Sequence, residues 1–254
     1  MAGPDSSTTR RAMLAGMGTV VAGGGIVYGA SRLEGDSADG SASNESNESN
    51  GAQLHSSTAT TGFGIDLGGH PILGAMDAPV DVYYWSDYQC PFCRRFEQNT
   101  FPQLVENHVR PGTVRYVFIQ YPYLSESSTT AAIMDRCVWR QVRDADPGRY
   151  LDWHSAIFDA QGTKGSGWAS RENLLEITAG VEGVDADAVG TCMDEHGTEI
   201  EAEIDADVQQ ARQFGIRGSP AFVLYNREAD RAGKLVGAQP YDRFDSAIDR
   251  VKDA

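Results

Sequence analysis

The feature that most constrains the fold is an apolar run that ends in two closely spaced thiols. Val80-Asp81-Val82-Tyr83-Tyr84-Trp85-Ser86 is rich in β-branched and aromatic residues, and Asp87-Tyr88-Gln89 carries it straight into Cys90-Pro91-Phe92-Cys93. Such a run reads as a strand buried on both faces, as a central parallel strand must be. Pro91 suits a first helical turn, where its missing N–H has no partner to lose. Phe92, Phe96, Leu104 and Val105 then recur among polar residues. That spacing predicts a helix over 92–109, kinked at Pro102, whose ring clashes with the preceding turn. Val114 to Tyr121 reads as a second strand, closing a β-α-β unit with a right-handed crossover.

Two thiols one helical turn apart can close a disulfide with little backbone movement, which a reversible redox switch requires. A helix start adds unsatisfied N–H groups and the positive end of the macrodipole, and both favour a thiolate at Cys90. A stabilised thiolate leaves easily, so an oxidised pair is readily attacked by a substrate thiol and passes its disulfide on. Cys93, one turn inside the helix, is expected to be more buried and to act as the resolving thiol, with Asp87, Pro91 and Phe92 in support. The alternative is an inert disulfide or half of a zinc site. Zinc needs about four ligands, whereas Cys137 and Cys192 lie 44 and 99 positions beyond Cys93, each alone. No metal site and no cofactor is therefore expected. His55, His70, His108 and His196 are scattered, and His154, beside Trp153, has no second ligand at helical spacing, so packing or a surface position is its expected role.

Helical patterns fill about 125–215: Thr129 to Arg143, Tyr150 to Ala160, Arg171 to Ala179 and Asp185 to Phe214. Two short strands, Ala221 to Tyr225 and Gly233 to Val236, and an amphipathic helix, Tyr241 to Val251, close the chain. The expected architecture is an α/β domain over 63–254 interrupted by a mostly helical insertion, with no internal repeat.

The first 62 residues have a different character. Arg10-Arg11 precedes a glycine-rich run from Ala12 to Ala30 that carries no charge. Residues 1–33 thus read either as a signal resembling the twin-arginine type or as an N-terminal membrane anchor. Both place the protein outside the cytoplasm, secreted or held at the outer face of the cell membrane. Residues 34–62 are Ser, Asn, Gly, Asp, Glu, Ala and Thr with almost no large apolar side chain, the composition of a flexible tether. Asn44-Glu45-Ser46 and Asn47-Glu48-Ser49 fit the glycosylation acceptor pattern.

Charge excludes one class of partner. The net charge of −15 rests on 22 Asp and 14 Glu against 18 Arg and three Lys, Lys164, Lys234 and Lys252, so nucleic acid is not a natural ligand. An acidic, lysine-poor surface suits a halophile's surroundings, where salt screens the self-repulsion; an ordinary acidic exported protein is the alternative. For an exported chain with an even number of cysteines, a structural disulfide between Cys137 and Cys192 is the simplest reading, with a second redox relay or two free thiols as alternatives.

Asp87-Tyr88-Gln89-Cys90-Pro91-Phe92-Cys93, followed far downstream by Gly218-Ser219-Pro220-Ala221-Phe222-Val223, resembles the DsbA-like thioredoxin family. The resemblance extends from Gly64 to the carboxyl end, through His70-Pro71-Ile72-Leu73-Gly74 and Asp77-Ala78-Pro79, and does not cover the first 62 residues. It implies a thioredoxin fold, a central mixed sheet flanked by helices. It also implies a cis Ser219–Pro220 bond facing the cysteine pair, with the Ser219 backbone pairing with an extended substrate peptide. By the same resemblance the partners are thiol-bearing exported proteins and a membrane quinone-linked reoxidase. Two departures stand out. The family's buried acid six positions before the first cysteine is Tyr84 here, leaving Asp81, Asp87 or water to take that role, and Phe92 replaces a histidine found in strong oxidants. An oxidase is the leading expectation; a reductase or isomerase, or a tethered binding protein that lost the chemistry, stays open.

Overall fold

The computed structural model describes residues 52–61 and 63–253. The signal or anchor, most of the expected tether, Asn44 and Asn47 lie outside them.

Six strands form one mixed sheet in the order β1-β2-β4-β3-β5-β6. They are β1 Leu54–His55, β2 Ile72–Leu73, β3 Val80–Ser86, β4 Val114–Gln120, β5 Ala221–Asn226 and β6 Arg231–Val236. The two central strands, β3 and β4, run parallel, from Val80 opposite Val114 to Ser86 opposite Gln120. Every other pairing is antiparallel. All seven residues of β3 and all seven of β4 are buried, because helices cover both faces of a parallel pair. Tyr84 of β3 stacks on Phe222 of β5 with ring centroids 5.0 Å apart, and Phe96 packs on Phe222 at 4.6 Å. An aromatic core therefore sits directly beneath the cysteine pair.

The edge strand β1 corrects the expected tether boundary. Leu54 is buried and pairs with Leu73, and Gly74 N donates to Gln53 O at 2.9 Å, so the last part of the polar stretch belongs to the sheet. A composition average hides one leucine, and one leucine with paired backbone is enough to hold a two-residue strand.

Helix α1, Pro91–Asn99, leaves the tip of β3. The expected kink at Pro102 appears instead as a break one step earlier. Thr100 ends α1, and α2, Phe101–Leu104, starts afresh with Pro102 in its first turn, where no backbone donor is needed. One π-helical turn, Val105–Val109, follows.

Between β4 and β5 lies the helical insertion: α3 Glu126–Val142, α4 Arg149–Asp159, α5 Arg171–Ala179 and α6 Ala186–Gln213. Cys137 of α3 and Cys192 of α6 are joined by a disulfide, with Cα atoms 5.8 Å apart. Helix α7, Tyr241–Lys252, packs its buried Phe244, Ile248 and Val251 against the sheet.

Candidate functional site

Cys90 occupies the cap position of α1, with Pro91 in its first turn. The turn that delivers it is tied by Asp87. One Asp87 oxygen accepts from Gln89 N at 2.8 Å, and the other accepts from Tyr123 N at 3.1 Å and Leu124 N at 3.3 Å. Burial raises the Asp87 carboxyl above its ordinary range, and these three amides oppose the rise.

The Cys90 thiol donates to the Ser219 carbonyl at 3.3 Å, and the Ser219–Pro220 bond is cis. Residues 129 positions apart in the chain thus meet across the sulfur. Cys90 is lowered from the ordinary 9.0 to about 6: a hydrogen bond from Cys93 contributes most, with the Ser219 side chain and the backbone N–H groups of Cys93 and Phe92 adding to it against the cost of burial. Cys93 moves the other way. It is wholly buried, and its thiol is pushed well above the ordinary value by desolvation and by the neighbouring Cys90. Both thiols are free. Cys90 is itself only 2% exposed, against 0% for Cys93, so the two differ less in area than in what covers them. Ser219 lies over Cys90, whereas Cys93 is enclosed by the aromatic core.

Of the other expected residues, Phe92 is 51% exposed beside Cys90, with the Arg95 guanidinium 5.1 Å above its ring. Asp81 lies away from the pair. It is the second residue of β3, at the end opposite the cysteines, and is taken up by Arg115 at 2.8 Å and the Tyr83 hydroxyl at 2.7 Å. An acid there cannot serve Cys93, and only Asp87 of the two is close to it.

The structure adds residues that spacing did not single out. Gln161, just past α4, donates to Tyr88 O at 2.5 Å and to Cys90 O at 3.2 Å, clamping the redox turn to the insertion. Arg94 returns the contact by donating to Gln161 O at 3.1 Å. His154 is buried between the rings of Phe118 and Phe158 and hydrogen-bonded to Tyr88. Glu97, which the sequence reading did not single out, lies 3.2 Å from His154; its place four residues after Cys93, on the same helix face, is the one sequence feature that could have pointed here.

A family model described as Thioredoxin matches residues 66–250, most of the chain. The chain belongs to the thioredoxin family. Within it, this thioredoxin-family protein is a DsbA-like thiol–disulfide oxidoreductase. It is similar to disulfide bond formation protein D of Bacillus subtilis, 25% identical over 159 residues, which is 63% of this chain and 69% of that protein. A probable disulfide bond formation protein D of Bacillus anthracis is also 25% identical, over 70% of this chain and 76% of the relative. Among solved structures, oxidised BdbD from Bacillus subtilis superposes with a TM-score of 0.62 at 22% identity, covering 73% of this chain and 94% of the other. A thioredoxin-like oxidoreductase from Silicibacter pomeroyi gives 0.59 at 27% identity over 73% and 94%.

Proposed function

We propose that this protein is an exported thiol oxidase that donates a Cys90–Cys93 disulfide to thiols of extracytoplasmic proteins. The observation that carries this reading is the opposite displacement of the two thiols, Cys90 down to about 6 and Cys93 up. Such a pair favours its reduced form with Cys90 as thiolate, and a disulfide whose reduced form is stabilised is an oxidant. Cys90 is the sulfur that substrate attacks, Cys93 resolves, and the Ser219-Pro220 segment presents backbone for an extended substrate strand. The bonded Cys137 and Cys192 serve as a structural staple.

The exported location rests on Arg10-Arg11 and the uncharged run after it. Among the described residues no helix is long and apolar enough to cross a membrane. Turnover needs an electron acceptor for the reduced pair, and a membrane quinone-linked partner fits a protein held at the outer face. The test is the reduction potential of the pair in high salt, together with oxidation of a reduced, unfolded substrate protein by stoichiometric enzyme. A potential near the oxidising end of the roughly 150 mV span of such pairs supports the oxidase. A value near that of thioredoxin, with disulfide reduction outpacing thiol oxidation, replaces it with a reductase.

A further inference from the structure

The chain carries a net charge of −15, yet the exposed charges placed around Cys90 are mostly basic. Arg94 and Arg95 follow Cys93 directly, Arg217 stands two residues before Ser219, and Lys164 lies three past Gln161, which holds the Cys90 carbonyl. Arg95, Lys164 and Arg217 are exposed. Acids placed as closely are mostly taken up. Asp87 is buried and held by three amides, the Glu97 side chain is buried against His154, and Asp159 accepts from Gln98 at 3.0 Å. That leaves Glu126, exposed beside Ser125, the partner of Gln89.

Arg95 and Arg217 stand on the two segments that meet at the sulfur, α1 and the chain leading into the cis Ser219–Pro220 bond, since the Cys90 thiol touches the Ser219 carbonyl at 3.3 Å. Among the described residues their side chains make neither an ion pair nor a hydrogen bond. The Arg95 guanidinium lies over the ring of Phe92 instead, 5.1 Å from its centre. Exposed arginines elsewhere, such as Arg212 and Arg250, are unpaired too, so a place beside the sulfur is what sets these two apart. The large apolar side chains that stay exposed among the described residues, Phe92, Tyr123 and Val236, gather at the same mouth. Phe92 is two residues from Cys90, the Tyr123 hydroxyl lies against Gly218, where a Cβ would come within 3.5 Å of it, and Val236 pairs with Ala221, next to Pro220. An exposed apolar surface edged by unpaired guanidinium groups is complementary to a partner that brings carboxylates.

Resting on the oxidase reading above, we propose that Arg95 and Arg217 select substrate segments that carry Asp or Glu beside the reacting cysteine. A substrate thiolate attacks Cys90, a substrate–Cys90 bond forms, and the Cys90–Cys93 bond breaks with its electron pair going to Cys93, which takes a proton from water. A second substrate thiolate closes the substrate disulfide and releases Cys90 as thiolate. Arg95 and Arg217 hold the flanks of the substrate and determine specificity; they do not touch the reacting sulfurs. The charge of the whole chain opposes an acidic partner at long range, whereas the two arginines act at contact. Salt separates the two effects, because screening confines repulsion to about 8 Å at 0.15 M and about 3 Å at 1 M.

The test uses three synthetic peptides, each with one cysteine flanked by Asp and Glu, by uncharged residues or by Lys, reacting with the oxidised full chain in 1 M salt. Rates are expressed per thiolate, because flanking charge also shifts the peptide's own thiol. The acidic peptide should react about 2- to 5-fold faster than the uncharged one, the worth of two exposed ion pairs, and the Lys peptide should be the slowest. With Arg95→Gln and Arg217→Gln together, the ratio of acidic to uncharged rates should fall to about one, and Arg95→Glu with Arg217→Glu should invert it. Arg250→Gln, at the far end of α7, should keep the parent ratio. Equal rates in the parent protein, or a faster Lys peptide, overturn the proposal and need no variant to fold. A preference that survives loss of both arginines also overturns it. A Cys90–Cys93 disulfide that oxidises none of the three peptides overturns the oxidase reading, whereas one that oxidises all three at the same rate overturns this inference alone.

Discussion

Ionisation of Cys90 should appear as pH-dependent stability of the reduced protein, and the structure sets its sign and size. The folded thiol titrates at about 6 against the ordinary 9.0. Its folded value is depressed, so the stabilisation is fully present above 9.0 and is lost as pH falls through about 6. Between these limits the unfolded chain holds one proton more, and stability rises by about 1.4 kcal/mol per pH unit. From pH 5 to pH 8 the integrated gain is about 2.6 kcal/mol, an upper value because the sulfur retains some contact with solvent. Cys93, displaced upward, adds almost no slope between pH 5 and pH 8 because it is almost wholly neutral in both states there. The assay is thermal unfolding of reduced protein and of reduced Cys90→Ser at both pH values. Subtraction cancels the many carboxylates the two proteins share. The reduced parent should gain about 5–10 °C over the variant between pH 5 and pH 8. A difference independent of pH would refute the reasoning, and one that shrinks as pH rises would reverse its sign.

Three further outcomes follow from named contacts. Phe92→His places a hydrogen-bonding ring beside the Cys90 sulfur, and thiolate absorbance should then show Cys90 titrating lower, by up to about one pH unit. Replacing Cys137 and Cys192 together by serine opens a loop of sequence separation 55. By the chain-entropy model the cost is about 4 kcal/mol, read from the urea midpoint, while Cys90 and Cys93 still exchange disulfides. Arg115→Met removes the 2.8 Å ion pair of the buried Asp81 carboxylate and leaves it the Tyr83 hydroxyl and the more distant Arg227, 3.8 Å away. Denaturant unfolding should reveal a loss of up to about 3 kcal/mol, below the full cost of an unpaired buried charge because Arg227 remains, with no change in Cys90 titration, since Asp81 lies far from the pair.

The reach of sequence reasoning is clearest along the strand–pair–helix unit. Val80–Ser86 was legible to the residue because β-branching, aromatic content and the thiols at its end are local signals. The helix after it was legible in position, but its break was misplaced. Pro102 disfavours continuation, yet the chain breaks at Thr100 so that the proline falls where its missing donor is harmless. The four insertion helices and the last two strands followed from periodicity, with ends off by a few residues. The first two strands were not legible, because two-residue strands have no period to detect and exist only through pairing, β1 with β2 and β2 with β4.

What the linear order determined was the chemistry on offer: two thiols one turn apart at a helix start, a distant Gly-Ser-Pro, two further cysteines, and an acidic surface. Each is a matter of residue type and short spacing. Tertiary structure decided how that chemistry is tuned. Ser219 reaches Cys90 from 129 positions away, Gln161 clamps the redox turn from 71 away, and Tyr88 meets Asp135 and His154 across 47 and 66. His154 read as a packing residue because its partners are scattered through the chain, and only burial forces them together. Once water is excluded, buried polar groups find most of their partners within the protein, and spacing along the chain cannot express which partners those are.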